Sequence, residues 1–143
     1  MRAGLFGLLI VLLSACATPP ATPEAQAAHF GPVPEAPSVE QLASTTVATN
    51  YTWLARPDGA DYRLVWPRDA WYAEAEATVG LDCLIREDGT VACAADDDGW
   101  PQYDFEQAAR NLSTRFRLAT HNRNGNSIVG QRIKINIAFR FAH

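Results

Sequence analysis

The stretch that decides the fold is TVGLDCLIREDGTVACAA, residues 78–95, and it has the pattern of a β-hairpin. Apolar and polar residues alternate over 78–86, as in a strand with one buried face. Residues 87–89 (EDG) supply a three-residue turn in which the glycine can take the required positive φ. Residues 90–95 then return with the same alternation. The sequence therefore predicts two antiparallel strands that place their apolar side chains on one core face.

The three cysteines of the chain are Cys16, Cys83 and Cys93, and two of them lie in this hairpin. With a three-residue turn, Cys83 falls directly opposite Cys93 at a non-hydrogen-bonded position, where Cα atoms approach to about 4.5 Å. A disulfide accepts such a distance, so the sequence predicts a Cys83–Cys93 bridge. Two alternatives stay open, namely two buried free thiols and a redox site, although the spacing is not that of a Cys-x-x-Cys motif.

Residues 1–16 have the form of a bacterial lipoprotein signal. Arg2 gives a positive start, an apolar run follows over 5–13, and residues 13–16 (LSAC) form a lipobox. We expect residues 1–15 to be removed as a signal peptide and Cys16 to be acylated; an ordinary secretory signal is the alternative. Lipid on Cys16 predicts an envelope protein that faces the periplasm, and Ala17 favours anchoring to the outer membrane. The oxidising periplasm suits a disulfide.

Prolines recur among alanine, glutamate and threonine over residues 16–44, which predicts a Pro-rich extended tether behind the lipidated cysteine. Residues 45–65 are expected to form an N-terminal β extension. Alternation from Val47 to Trp53 predicts its first strand, the turn signal at 56–59 follows, and 62–66 is expected to return as the second strand of a hairpin.

Two helices and a last strand complete the prediction. Pro67 suits a first helical position, and residues 68–77 favour a short helix. Apolar residues at helical spacing behind Asp104 predict a second helix over about 105–116. Residues 133–141 alternate plainly as a strand. The expected fold class is α+β: a small two-layer domain in which two helices pack on an antiparallel sheet made of the hairpin and the last strand.

The charge pattern weighs against a nucleic-acid partner, because the formal net charge is -4 and no general basic patch exists. Acidic residues dominate 57–104 and basic residues dominate 105–143, which favours either complementary packing or a charged docking surface. We expect no enzyme, no metal and no cofactor, since the three histidines stand apart from any nucleophile or base. A catalytic site would require a pocket that brings His121 together with a carboxylate.

Residues 66–141 resemble the C-terminal domain of the TonB family. Residues 66–67 (WP) stand for its Tyr-Pro, 77–79 (ATV) for its Gly-x-Val strand entry and 88–89 (DG) for its hairpin turn. The later helix resembles the family helix that ends in Trp-Arg-Phe, residues 124–125 (NG) its loop, and 133–141 its last strand. The positions that carry these family motifs are Trp66, Pro67, Gly89, Phe116 and Gly125. The resemblance implies a TonB-like domain over residues 66–143.

The chain also departs from the family pattern. Thr114 occupies the place of the usual tryptophan, residues 117–118 (RL) replace a proline-containing segment, and Ser127 stands where the loop proline would be. These departures affect partner contacts at the end of the helix. A TonB energy transducer also begins with a transmembrane helix, whereas this chain begins with a cleavable signal. The resemblance therefore implies no coupling to the proton gradient.

The binding mode that the resemblance implies is strand addition. In the family, the last strand pairs with an extended peptide of an outer-membrane transporter. The corresponding edge strand here consists of Ile133, Lys134, Ile135, Asn136, Ile137, Ala138 and Phe139. This predicts a lipoprotein associated with TonB-dependent transport. The alternative is a scaffolding lipoprotein that docks to another envelope complex, as the similar TolA domain does, and a homodimer by strand exchange is also open. Strand addition requires that the N-terminal hairpin leave this edge uncovered. Coverage of the edge would favour the scaffolding alternative.

Overall fold

The structure is a computed structural model that describes residues 22–96 and 99–142. The expected signal peptide (1–15), the lipidation site Cys16, Asp97, Asp98 and His143 lie outside the described residues. Within them, no helix is long and apolar enough to cross a membrane. The helices are α1 (Pro23–Phe30), α2 (Val39–Ala43), α3 (Gly59–Val65), α4 (Arg68–Tyr72) and α5 (Phe105–Ser113), and the strands are β1 (Trp53–Ala55), β2 (Ala77–Ile85), β3 (Val91–Ala95), β4 (Arg117–Leu118) and β5 (Arg132–Phe139).

The main sheet has three antiparallel strands in the order β3-β2-β5, so the predicted hairpin and last strand form one sheet with β2 in the middle. Cys83 lies directly opposite Cys93, and their Sγ atoms are bonded at 2.00 Å. The Arg86 N–H donates to the Thr90 carbonyl at 2.8 Å, which places the cysteines at a non-hydrogen-bonded pair by alternation along the ladder. The α+β class and the cysteine pairing are confirmed.

The core lies between this sheet and the helices. Burial alternates strictly along β2 and β5, so every second side chain points inward. On α5, the buried residues recur at helical spacing and face the sheet. Phe105 of α5 and Phe139 of β5 are fully buried, with ring centroids 5.1 Å apart. Trp66 joins this cluster from the chain before α4 and stacks edge-on against Phe139 at 5.4 Å.

The turn of the hairpin is held by a second, two-stranded sheet. Gly89 takes φ +83° there, and its carbonyl accepts a hydrogen bond from the Leu118 N–H at 2.8 Å. A Cβ on Gly89 would overlap the Leu118 carbonyl oxygen. Leu118 belongs to β4, which pairs with β1 antiparallel. The chain that follows α5 is therefore fixed against the tip of the hairpin.

The predicted N-terminal hairpin is wrong. Of its expected first strand, residues 47–53, only Val47 forms an isolated bridge and only Trp53 belongs to a strand, β1. The expected second strand is a helix. Residues 62–65 lie in α3, and β1 pairs with β4 instead of with this segment. The cause is a capping box: the Asp58 carboxylate accepts from the Asp61 N–H at 2.9 Å, and the Asp61 carboxylate accepts from the Asp58 N–H at 3.0 Å. The Asp58-Gly59 pair that resembled a turn is a helix start.

The described part of the expected tether, residues 22–44, is not extended throughout. Thr22 caps α1, where Pro23 takes the first helical position that proline tolerates, and Ser38 caps α2. Phe30 and Leu42 are 8% and 7% exposed, so both short helices bury a side chain against the domain. Two other helices end earlier than predicted, α4 at Tyr72 and α5 at Ser113.

Candidate functional site

A three-stranded sheet has two edges, and the edge formed by β3 is blocked at its centre. The outward carbonyl of Cys93 accepts a hydrogen bond from Arg110 Nε of α5 at 3.3 Å. The same guanidinium donates to the Pro34 carbonyl at 3.2 Å, which ties the N-terminal segment to this edge. A second chain could not pair here without displacing Arg110.

The edge formed by β5 is open along most of its length. Ile133, Ile135, Ile137 and Phe139 point their side chains into the core, and the backbone bonds to β2 alternate with positions that face outward. Arg132 is an outward position, because its N–H donates to the Thr46 carbonyl at 2.9 Å. By alternation, Lys134, Asn136 and Ala138 also direct their N–H and C=O groups outward. Within the described residues, these groups have no backbone partner.

The N-terminal segment covers only the first position of this edge. Residues 46–48 run parallel to β5, and the Ala48 N–H donates to the Arg132 carbonyl at 2.8 Å. The chain then turns away at Asn50, which takes φ 55°. Its carbonyl accepts from the Arg123 N–H at 3.0 Å, so the segment continues toward β4. The backbone from Lys134 to Ala138 is consequently left exposed.

A groove follows the open edge, and we call it the β5 groove. It consists of three concavities in succession, beside residues 132–134, 134–136 and 138–142. Tyr51 is shared by the first and second concavities, and Tyr62 by the second and third. Its wall opposite β5 is built mainly by aromatic side chains, namely Tyr51, Trp53, Tyr62, Trp66, Trp71, Phe116 and Phe141.

The aromatic wall is anchored in the core. Trp53 lies 5.3 Å from the buried Phe116, Tyr62 lies 5.9 Å from Phe139, and both pairs are ring-centroid distances. Because these contacts already hold the rings in place, ligand binding costs little further side-chain conformational entropy. Burial raises the pKa of the Tyr62 hydroxyl, so this side chain stays uncharged at neutral pH. The charge of the groove is therefore set by its basic residues.

The β5 groove is cationic. Arg132 is held by both carboxylate oxygens of Asp82, which raises the pKa of the guanidinium, and Arg140 pairs with Glu76 at 3.4 Å. Arg56 lies 5.0 Å over the Trp53 ring. Arg56, Arg63 and Lys134 are exposed and have no ion pair within the described residues. No aspartate or glutamate of the described chain lines the three concavities.

The sequence-based site residues divide between this groove and the framework. Residues 133–139 form β5, while Trp66 and Phe116 line the groove from the core. Pro67 precedes α4 as its N-cap, and Gly89 and Gly125 occupy positive-φ turns. Cys83 and Cys93 are buried in the hairpin. The basic residues Arg56 and Arg63 were missed, because no periodicity relates the segment that carries them to the last strand.

His121 is exposed on a loop, and its Nδ1 lies 3.2 Å from the Thr120 hydroxyl. Within residues 22–96 and 99–142, no group of histidine, cysteine and carboxylate side chains is arranged to hold a metal ion. The chain matches no protein-family model and no curated protein, so its likeness to the TonB C-terminal domain stays a prediction from the residues.

Proposed function

We propose that this protein is a periplasm-facing envelope lipoprotein whose TonB-like domain binds an extended segment of a partner protein by strand addition on β5. The partner we expect is an outer-membrane transporter peptide of the TonB-dependent class. The observation that carries the proposal is the open edge from Lys134 to Ala138, which lies beside an anchored aromatic groove, whereas Arg110 blocks the centre of the β3 edge.

The energetics favour a weak, reversible interaction. Each backbone hydrogen bond that an added strand forms with the outward groups contributes about 0.5–1.5 kcal/mol net. Ordering an extended peptide costs about 2–5 kcal/mol. Aromatic side-chain burial in the groove must supply the difference. We therefore expect dissociation constants in the micromolar range, on the order of 1–100 μM.

The test is an NMR titration of the soluble chain from Ala17 onward with TonB-box peptides from transporters of the same organism. Strand addition predicts shifts that concentrate on residues 133–139 and on the indole signals of Trp53 and Trp71. The absence of shift changes with every peptide would favour the scaffolding alternative. Shifts confined to the edge of β3 would contradict the assignment of the edge.

A proline variant makes this test specific. Asn136 directs its N–H outward, so Asn136→Pro removes a donor to the peptide and leaves the β2–β5 hydrogen bonds in place. We expect it to weaken peptide binding at least tenfold. The matched control is Ala95→Pro at the end of β3, on the opposite edge, which should bind like the parent chain. Amide spectra of both variants report whether the fold is kept.

The lipoprotein part of the proposal is tested separately. The signal peptidase II inhibitor globomycin should cause the unprocessed precursor to accumulate, and Cys16→Ala should abolish both processing and membrane association. Normal processing of Cys16→Ala would instead favour an ordinary secretory signal. Neither result affects the peptide titration, which uses a chain without Cys16.

A further inference from the structure

The charge of the β5 groove is opposite in sign to the net charge of the chain. The formal net charge is -4, yet the groove carries Arg56, Arg63 and Lys134 without an ion pair in the described residues. The remaining basic residues that line it, Arg132 and Arg140, are already paired. A concave surface that is lined by one sign of charge attracts ligands of the other sign.

The position of Lys134 decides where the ligand's charge would lie. Side chains of a strand added to β5 alternate between the aromatic wall and the solvent-exposed face of the sheet. Lys134 is exposed on that outer face. Its partner on β2 is Asp82, whose two oxygens are both engaged by Arg132. An acidic residue of the ligand could therefore pair with Lys134 across the strands.

The opposite side of the groove requires a different chemistry. Arg56 is stacked over Trp53 beside the second concavity, and Arg63 lines the third one next to Trp71. The rings offer apolar contact to inward side chains, and both arginines are exposed to solvent. Ligand side chains that point inward should be large and apolar, with acidic residues flanking them.

We propose that the β5 groove selects an acidic extended peptide segment of a partner protein. Such a segment places Asp or Glu opposite Lys134 and large apolar side chains in the aromatic concavities. This rests on the proposed strand addition and adds its specificity. A second copy of this chain fits poorly, since β5-to-β5 pairing would bring two sets of Arg56, Arg63 and Lys134 together.

The experiment compares three synthetic eight-residue peptides in which leucine, for the aromatic concavities, alternates with threonine. They differ only at one central outward position, which holds glutamate, glutamine or lysine. For the soluble chain from Ala17 onward, we expect the glutamate peptide to bind about threefold to tenfold tighter than the glutamine peptide at low salt. The lysine peptide should bind weakest, and the spread should narrow at 0.5 M salt.

Two matched variants locate the effect. Lys134→Gln should reduce the difference between the glutamate and lysine peptides at least threefold. Arg123→Gln should leave it unchanged, because Arg123 is exposed on the loop beyond β4 and does not line the groove. Glutamine at 134 avoids placing a second carboxylate opposite Asp82, so the fold is expected to be kept.

The outcomes separate this proposal from the function on which it rests. Equal binding of all three peptides, with no effect of Lys134→Gln, would overturn the acidic specificity and leave strand addition intact. Failure of every peptide to bind would overturn strand addition itself. Concentration-dependent self-association that protects the amides of 134, 136 and 138 from exchange would show that a second copy of the chain occupies the edge.

Discussion

Gly89 shows how one residue joins two parts of the chain. Its φ of +83° suits the hairpin turn, and the space where a Cβ would stand is taken by the Leu118 carbonyl oxygen. Gly89→Ala must therefore both strain the turn and push β4 away. We expect the free energy of unfolding to fall by at least about 2 kcal/mol in chemical denaturation.

The matched control for this prediction is Gly125→Ala. Gly125 takes φ +81°, but nothing lies within 4 Å of the Cβ position. Only the conformational cost remains there, about 1 kcal/mol. Equal losses for the two variants would mean that the contact with Leu118 contributes nothing.

Asp88 makes the hairpin turn sensitive to acid. Its carboxylate accepts hydrogen bonds from the Thr90 hydroxyl and from the Thr90 N–H, and these bonds lower the pKa of Asp88. The ionised group therefore stabilises the fold above the pKa of the unfolded chain, and this contribution is lost as the pH falls through the lowered folded value. The stability advantage over Asp88→Asn should be constant from pH 7 to about pH 5 and shrink toward pH 3.

Denaturation of both chains at each pH measures this difference, since the other carboxylates titrate in both and cancel. An advantage that grows on acidification would contradict the hydrogen-bonding assignment. The effect should be small, because Asp88 is exposed.

Residue-scale features were predictable where they depend on neighbours in sequence. The register that joins Cys83 to Cys93 follows from a turn of three residues and strict alternation. Asp58-Gly59 misled for the same local reason, since the pair suits a turn as well as a helix start. Asp61 favours the helix because it completes a capping box with Asp58. A capping box usually combines Ser or Thr with Glu or Gln, so two aspartates do not indicate one in the sequence.

At the scale of elements, the disulfide closes the hairpin from inside the core. Cys83 and Cys93 are 0% and 2% exposed. Replacing both by alanine should lower the free energy of unfolding by about 2–3 kcal/mol, mainly because the unfolded chain gains freedom over a short loop. Urea denaturation of the oxidised parent and of Cys83→Ala/Cys93→Ala measures it.

The same two chains supply the control. Under reducing conditions that open the bridge, the parent should approach the stability of the double variant. A double variant as stable as the oxidised parent would mean that the bridge constrains nothing that folding does not already constrain.

β5 was predictable as a strand, whereas the exposure of its edge was not. Its isoleucines and phenylalanine alternate with polar residues so regularly that only a half-buried strand fits. Whether another segment covers that strand depends on Asn50, where the chain turns away after a single parallel bridge at Arg132. An asparagine at positive φ has no signature in the hydrophobic pattern. The backbone at Asn50 is held by a tertiary contact, the hydrogen bond from the Arg123 N–H to the Asn50 carbonyl.

At the scale of the whole molecule, ion pairs join the acidic part of the chain to its basic part. Asp61 pairs with Arg115, Asp82 with Arg132 and Glu76 with Arg140. The uneven charge distribution thus reflects complementary packing in these places. In the β5 groove, Lys134 of the basic part stays without an ion pair among the described residues, as do Arg56 and Arg63.

The N-terminal segment is held by a small contact of its own. Phe30 is 8% exposed and lies under Arg115, whose Cζ is 5.0 Å from the ring centroid. Phe30→Ala should lower the free energy of unfolding by about 2–3 kcal/mol, or release α1 so that residues 22–37 are cleaved quickly in limited proteolysis.

Val39→Ala on α2 is the control, since Val39 is 78% exposed and its loss should change stability by less than about 0.5 kcal/mol. Undiminished stability and unchanged cleavage in Phe30→Ala would mean that α1 is not fastened to α5 in solution.

Under the proposed acylation of Cys16, the docking of α1 would also limit the distance over which the protein can meet a partner. With Cys16 acylated, the chain from the lipid to Thr22 spans at most about 20 Å, because the residues after Thr22 are packed on the domain. The domain would then stay within roughly its own diameter of the bilayer. Encounters would occur in two dimensions along the membrane surface, at the high local concentration that a short connection gives. A dissociation constant in the micromolar range would then be sufficient for the domain to bind its partner.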